Sequence, residues 1–236
     1  MNENTQGRLL DFFENHEHRI IHKWMHYFEI YERHFSKFQG QEVSVLEFGV
    51  LHGGSLQMWR HYFGERAHIY GVDINPRCGD LSDPNITVLV GNQEDVDSLR
   101  TIKNSLPLMD IIIDDGGHSM LQQTLTFEEL YGHLKEGGIY LCEDMHTSYW
   151  PEFGGGYRKP DSFMEYSKKL IDQLNAWHSR GEGLAVDAFA ETTFGMHYYD
   201  SILVIEKRKI NPPHARMKGT PSFPLTPGAM AVHEKG

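Results

Sequence analysis

The sequence predicts an α/β protein built on a seven-stranded, mostly parallel sheet, closed by a C-terminal antiparallel hairpin. Two observations predict it. From residue 43 onward, short runs rich in Val, Ile and Leu alternate with stretches of helical periodicity. Helical stretches of about 10–15 residues between strands imply βαβ units and a parallel sheet. The last two apolar runs, in "GLAVDAFAETTFGMHYYDSILVIEKR", have no helix between them, which predicts a hairpin.

Along the chain, residues 8–38 carry apolar positions every three or four residues. The pattern predicts one long helix with Ile20, Ile21, Trp24, Tyr27, Phe28 and Tyr31 as its buried stripe. "VSVLEFGV" is the first strand and "GGSLQMWRHYF" the helix after it. "AHIYGVDI", "ITVLVG", "MDIIID" and "GGIYLCED" are the second to fifth strands. Helices are expected over 94–104, 119–134 and 161–179, the second opened by a capping box of Ser119 and Gln122. "TSYWPEFGGGYRKP", residues 147–160, reads as a loop. One domain is expected over 1–210, with 1–40 as its N-terminal helical segment. Residues 211–236, holding five of the ten prolines, are expected to form an irregular tail.

Composition narrows the class. A formal charge of −11 argues against nucleic acid, whose phosphates require a basic surface. No apolar run approaches the ~20 residues that span a bilayer, and the N-terminus lacks the profile of a signal peptide. Cys78 and Cys142 have no metal-type spacing and read as reduced thiols, which suits the cytoplasm.

In open α/β sheets ligands bind beyond the carboxyl ends of the strands. The first such end reads Glu47-Phe48-Gly49, then Gly53-Gly54-Ser55. It is not G-x-G-x-x-G, and an acid before the first glycine disfavours a pyrophosphate. It suits a cofactor with an ammonium and a sulfonium, which is the charge pattern of S-adenosylmethionine. Asp73 ends the second strand, placed to accept hydrogen bonds from ribose hydroxyls. Asn92 and Gln93, at the end of the third, are expected to face the adenine. The expected cofactor set is therefore Glu47, Gly49, Gly53, Ser55, Asp73, Asn92, Gln93 and Asp114.

Strands four and five end in Asp114-Asp115 and Glu143-Asp144. As neighbours they bring four carboxylates together, and a hard divalent cation such as Mg²⁺ relieves the repulsion. Asp115, Glu143 and Asp144 are the expected ligands, with Asp114 assigned to the cofactor side. His118 follows Asp115 by three residues and is the expected general base, acting with Asp115. His146, Tyr149 and Trp150 are expected to contact the acceptor.

At these residues the chain resembles the metal-dependent sugar O-methyltransferases of macrolide biosynthesis. "EFGVLHGGSLQMWR", "IYGVDI", "IIIDDGGH" and "CEDMHTSYW" carry the resemblance, which covers most of residues 10–208. It implies a Rossmann-like class I methyltransferase fold, S-adenosylmethionine and Mg²⁺ as cofactors, a glycoside acceptor and a homo-oligomer. It also implies metal ligation by Asp115, Glu143 and Asp144, with His118 as base. The family commonly has serine where Gly117 stands, so a hydrogen bond beside the base is expected to be missing. The separate N-terminal auxiliary domain of some members has no expected counterpart. Two alternatives remain at this point: a catechol or phenol O-methyltransferase, and a non-methylating cofactor-binding protein or oxidoreductase.

Overall fold

A computed structural model of the chain describes residues 7–224. The expected strands form at the expected places: β1 (Ser44–Phe48), β2 (His68–Asp73), β3 (Ile86–Val90), β4 (Met109–Asp114), β5 (Leu134–Cys142), β6 (Thr193–Tyr199) and β7 (Ile202–Lys207). They make one seven-stranded sheet of order β3-β2-β1-β4-β5-β7-β6. β1 to β5 pair in parallel, while β7 runs antiparallel to both β5 and β6. The order reverses between β1 and β4, which is the switch point where such sheets bind ligands.

The Ile111-Ile112-Ile113 run of β4 shows why no face of this strand is polar. All three are fully buried. Ile111 and Ile113 join the core cluster that holds Trp59 and Phe63, and Ile112 joins the opposite one with Phe127 and Leu130. Successive strand residues point to opposite faces, so the middle of a strand covered on both sides is apolar. Each such side chain contributes about 1.5–3 kcal/mol by leaving water.

The first core layer comes from α2 (Tyr27–Phe35) and α3 (Gly54–Phe63), with α1 (Gly7–Glu14) beside them. The second comes from α4 (Val96–Ser105), α5 (Met120–Leu130), α6 (Phe163–Leu174) and α7 (Ala188–Thr192). The capping box forms as read: Ser119 Oγ accepts the Gln122 N–H, and the Gln122 side chain accepts the Ser119 N–H.

The single helix expected over 8–38 does not form. α1 ends at Glu14, and the chain crosses without helix to α2 at Tyr27. Tyr27, Phe28 and Tyr31 are buried as expected, but Ile20 and Trp24 are exposed to 57% and 50%. Residues 16–26 form a strap laid over the carboxyl ends of the strands. Arg19 Nη1 fastens it to the Leu81 carbonyl (2.8 Å) and to Asp83 (3.0 Å), and Lys23 anchors it among carboxylates described below. These long-range polar bonds override the local periodicity. Residues 211–224 hold no helix or strand and are exposed, and the rest of the expected tail lies outside the described residues.

α2 docks on the hairpin through His34, whose Nε2 lies 2.8 Å from the Tyr199 hydroxyl. Burial, with His197 alongside, pushes the His34 pKa down to about 4 from an ordinary 6.5. The unfolded chain therefore binds this proton more readily than the native one. Stability should be fully present above pH ~6.5 and fall as pH drops toward 4; His34→Gln should flatten that slope in urea titrations across the range.

Candidate active site

The carboxyl ends of β1 to β5 and the strap enclose a cavity of about 330 Å³, within the range of small-molecule sites. Gly49, Ser55, Asp73, Asn92, Gln93, Asp115, His118, Glu143 and Asp144 line it, as the sequence suggested. Glu47, Gly53, Asp114, His146, Tyr149 and Trp150 do not line it.

On the β1–β3 side, loop geometry is set by hydrogen bonds rather than by glycine alone. Asp73 Oδ2 accepts the N–H groups of Val50 (2.9 Å) and Leu51 (3.1 Å), and Oδ1 accepts that of Asn75 (2.8 Å). Asp73 thus both faces the cavity and fixes the glycine loop. Gly49 has φ +91°, and a Cβ there would lie 1.9 Å from the Asp115 carbonyl oxygen. The first strand mouth can reach the fourth only through a glycine.

Gln93 acts as a strut. Its Nε2 donates to Asp114 Oδ1 (2.7 Å) and Thr126 Oγ1 (3.0 Å), and its Oε1 accepts the Gly117 N–H (3.1 Å). Asp114 lies behind it, fully buried, and also accepts the Tyr140 hydroxyl at 3.1 Å. The expected cofactor role of Asp114 is therefore corrected: it braces the wall. Burial pushes its pKa up to about 7, against the pull of those hydrogen bonds.

Glu47 needs the same correction. It is fully buried and accepts Ser55 Oγ (2.6 Å), Trp59 Nε1 (3.0 Å) and Lys23 Nζ (3.4 Å). Gly53 takes φ +79° to start α3, and a Cβ there would approach the Arg19 side chain rather than the cavity.

Lys23 is the residue that sequence reading missed. Its ammonium donates to Asp115 Oδ2, Glu143 Oε1 (3.0 Å) and Glu47 Oε1, with its side chain 2% exposed. Burial works to lower its pKa, but the three carboxylates outweigh that and hold it well above that of free lysine. One ammonium does not neutralise three carboxylates, and burial raises the pKa values of Glu47, Asp115 and Glu143 even so. In the sequence Lys23 sits inside an aromatic stripe, and the one available hint was the number of acids needing a counter-charge.

Asp115, His118 and Asp144 have donor atoms that lie within 4.8 Å of one another. His118 Nε2 is 3.4 Å from Asp144 Oδ2 and 3.9 Å from Asp115 Oδ1. The buried His118 Nδ1 has no hydrogen-bond partner among the described residues. Two carboxylates with an incompletely paired imidazole fit a hard divalent ion. Glu143 departs from the expected ligand set, because its Oε1 is held by Lys23 and by the Tyr31 hydroxyl at 2.7 Å. The Tyr27 hydroxyl likewise donates to Asp144 Oδ1 at 2.7 Å. Burial lowers the His118 pKa, opposed by Asp144, so the ring is neutral and able to accept a proton near pH 7.

Of the expected acceptor residues, His146 and Trp150 lie beside the cavity-lining Trp24, at the rim. The His146 ring meets Trp24 (centroids 5.7 Å) and Trp150 (4.6 Å) edge-on, and its Nδ1 is 2.5 Å from Ser201 Oγ. Tyr149 and Trp150 are 47% and 42% exposed. A second donor group, His34, His197 and Glu206, lies outside the cavity and is closed by its own pairs.

No family model matches the chain. It is 35% identical over 191 residues to the 8-demethyl-8-alpha-L-rhamnosyl tetracenomycin-C 2'-O-methyltransferase of Streptomyces olivaceus, covering 77% of this chain and 50% of that one. Against the mycinamicin VI 2''-O-methyltransferase of Micromonospora griseorubida, identity is 33%, over 75% and 47% of the two chains. Its relatives are sugar O-methyltransferases. The solved structure of the MycE methyltransferase of mycinamycin biosynthesis with Mg and SAH superposes with a TM-score of 0.76 at 30% identity, covering 88% of this chain and 55% of that one. The Rossmann-like methyltransferase fold is thereby established. The chain spans about half the length of the curated relatives it matches.

Gly49→Ala should lower stability by at least ~1–3 kcal/mol, the cost of a strained left-handed position, with the clash against Asp115 added. Gly132→Ala, with open space around the new Cβ, is the control; urea unfolding of both compares them.

Proposed function

We propose that the chain is an S-adenosylmethionine-dependent O-methyltransferase, assisted by Mg²⁺, that methylates a sugar hydroxyl on a glycosylated natural product. The observation that carries this reading is the junction of two half-sites in one cavity. A loop pinned by Asp73 lines one half, and a neutral histidine between two carboxylates, Asp115 and Asp144, lines the other. The relatives named above act on sugars, and the MycE structures were solved with Mg and SAH, one of them also with mycinamycin VI.

In this reading Gly49, Ser55, Asp73, Asn92 and Gln93 surround the cofactor. Asp115 and Asp144, joined by Glu143, would hold the ion, whose chemistry when bound is to lower the pKa of an acceptor hydroxyl, and His118 stays free to act as the base. His118 Nε2 accepts the hydroxyl proton. The freed oxygen attacks the methyl carbon, and the electrons of the C–S bond return to sulfur. His118 is held for this by its left-handed backbone, φ +57°, and by Thr147 Oγ1 donating to its carbonyl at 2.9 Å.

Trp24 and Trp150, bridged by His146, form an aromatic rim at 50% and 42% exposure. A polar cavity under an aromatic rim suits an amphipathic glycoside, with the sugar inside and the aglycone on the rim. A homo-oligomer in the cytoplasm, with residues 1–210 as its catalytic domain, completes the proposal. Among the described residues no helix is long and apolar enough to cross a membrane.

Isothermal titration with S-adenosylmethionine should show one binding event; no heat from the folded protein would remove the cofactor assignment. His118→Ala should lower turnover by ~10²–10⁴ while cofactor affinity stays near that of the native protein. EDTA should abolish methylation of a glycoside acceptor and added Mg²⁺ restore it; activity indifferent to EDTA would remove the metal from the reading.

A further inference from the structure

Lys23 does more than neutralise charge, because of which carboxylates it holds. Asp115 belongs to two groups at once. Its Oδ2 accepts the Lys23 ammonium, and its Oδ1 faces His118 Nε2 in the cluster whose geometry fits a divalent ion. Glu143, on the same ammonium, is the carboxylate whose withdrawal leaves that cluster incomplete. A cation already bound to two carboxylates of the centre opposes the entry of a second one.

Lys23 also sits on the part of the cavity wall that the strap supplies rather than the sheet. Ile20 to Trp24 line the cavity from the strap. The strap lies close on the first turn of α3: a Cβ at Gly54 would come within 2.4 Å of the carbonyl oxygens of Arg19 and Ile20. That turn holds Ser55, in the cofactor half of the cavity. The strap is fastened at one end by Arg19 and joins α2 at the other through the Tyr27 N–H bond to the Trp24 carbonyl (3.0 Å). Between these fixed points Lys23 binds it to the sheet.

We propose that Lys23 is a built-in counter-cation that exchanges with the divalent ion. It occupies Asp115 and Glu143 in the ion-free protein, yields them when the metal enters, and thereby releases the middle of the strap. Metal entry would then reshape the wall shared with the cofactor, coupling the two binding events. This inference rests on the metal reading of the Asp115 cluster proposed above. Lys23 acts here as a positioning residue, through carboxylates and strap rather than on the reacting atoms.

Two measurements on the full chain test it, neither of them turnover. Titration with Mn²⁺ followed by electron paramagnetic resonance gives metal affinity directly. Lys23→Met should bind Mn²⁺ at least roughly tenfold more tightly than the native protein, since a competing like charge is removed. Lys23→Arg, which keeps the charge, should stay close to native. A purely structural lysine would give the opposite, weaker binding in Lys23→Met as the site loosens, and that result, or an unchanged affinity, would overturn the proposal.

Removing one partner of a buried ion group leaves charges unpaired and can prevent folding. The second measurement therefore uses the native protein: hydrogen–deuterium exchange of residues 16–26 with and without Mn²⁺ or Mg²⁺. Exchange there should rise when metal binds; unchanged or lowered exchange in the metal-loaded protein would overturn the exchange of cations. Failure of both the native protein and Lys23→Met to bind Mn²⁺ would instead remove the metal reading itself, and this inference with it.

Discussion

Negative charge gathered where the parallel strands end is the constraint around which this molecule is arranged. The register aligns β1, β4 and β5 so that the Asp115 N–H bonds the Phe48 carbonyl and the Glu143 N–H bonds the Asp114 carbonyl. Glu47, Asp114, Asp115 and Glu143 are thus brought side by side in a largely dry interior. Buried carboxylates are tolerated only when paired or hydrogen-bonded. Lys23, Tyr31, Ser55, Trp59 and Gln93 are all turned toward them, and Tyr27 toward the neighbouring Asp144. The N-terminal strap and α2 carry three of these donors, Lys23, Tyr27 and Tyr31, which holds them over the strand ends. Packing and electrostatics therefore share one solution: Tyr31 and Trp59 belong to the apolar core through their rings and to the site through their polar tips.

The strands and most helices were legible because alternation between apolar strand and amphipathic helix is a local signal. The β4 isoleucines announced a central strand, and the acids after them announced a site. The N-terminal segment was misread for the same reason. Its three-to-four-residue spacing continues through Ile20 and Trp24, but Lys23 is bound by residues 92 and 120 positions away. Local periodicity carries no trace of such a bond. Glu47 was recognised as unusual, yet whether its carboxylate turns toward a ligand or toward Trp59 depends on packing between β1, α3 and the strap. Asp114 and Asp115 are adjacent in sequence and point to opposite sides of the wall. Strand alternation could have told them apart once Ile113 was placed facing the first core layer.

Three of the residues with left-handed backbone that are not glycine, Leu51, His118 and Asp144, line the cavity. Such positions persist only where their surroundings over-determine them. Here the surroundings are identifiable. Leu51 is held by Asp73, and Thr147 Oγ1 lies 2.9 Å from the carbonyl oxygens of both His118 and Asp144. One hydroxyl ties the two loops that carry His118 and Asp144, the proposed base and a proposed metal ligand. The spacing between them is thus set before any ligand arrives, which is what a reaction dependent on alignment requires.

Gly117, where the family resemblance leads one to expect serine, has a steric setting in the helix that follows. A Cβ at this position would lie 2.3 Å from Gln122 Oε1, the atom that accepts the Ser119 N–H in the capping box. The space beside the base is filled from α5 instead of from the loop. Positions 117 and 122 therefore behave as one steric unit, and a side chain gained at the first has to be matched by one surrendered at the second. A serine placed at 117 alone would displace the Gln122 side chain from the helix cap, whereas the same change made together with a shorter residue at 122 would exchange one way of bracing the loop for another.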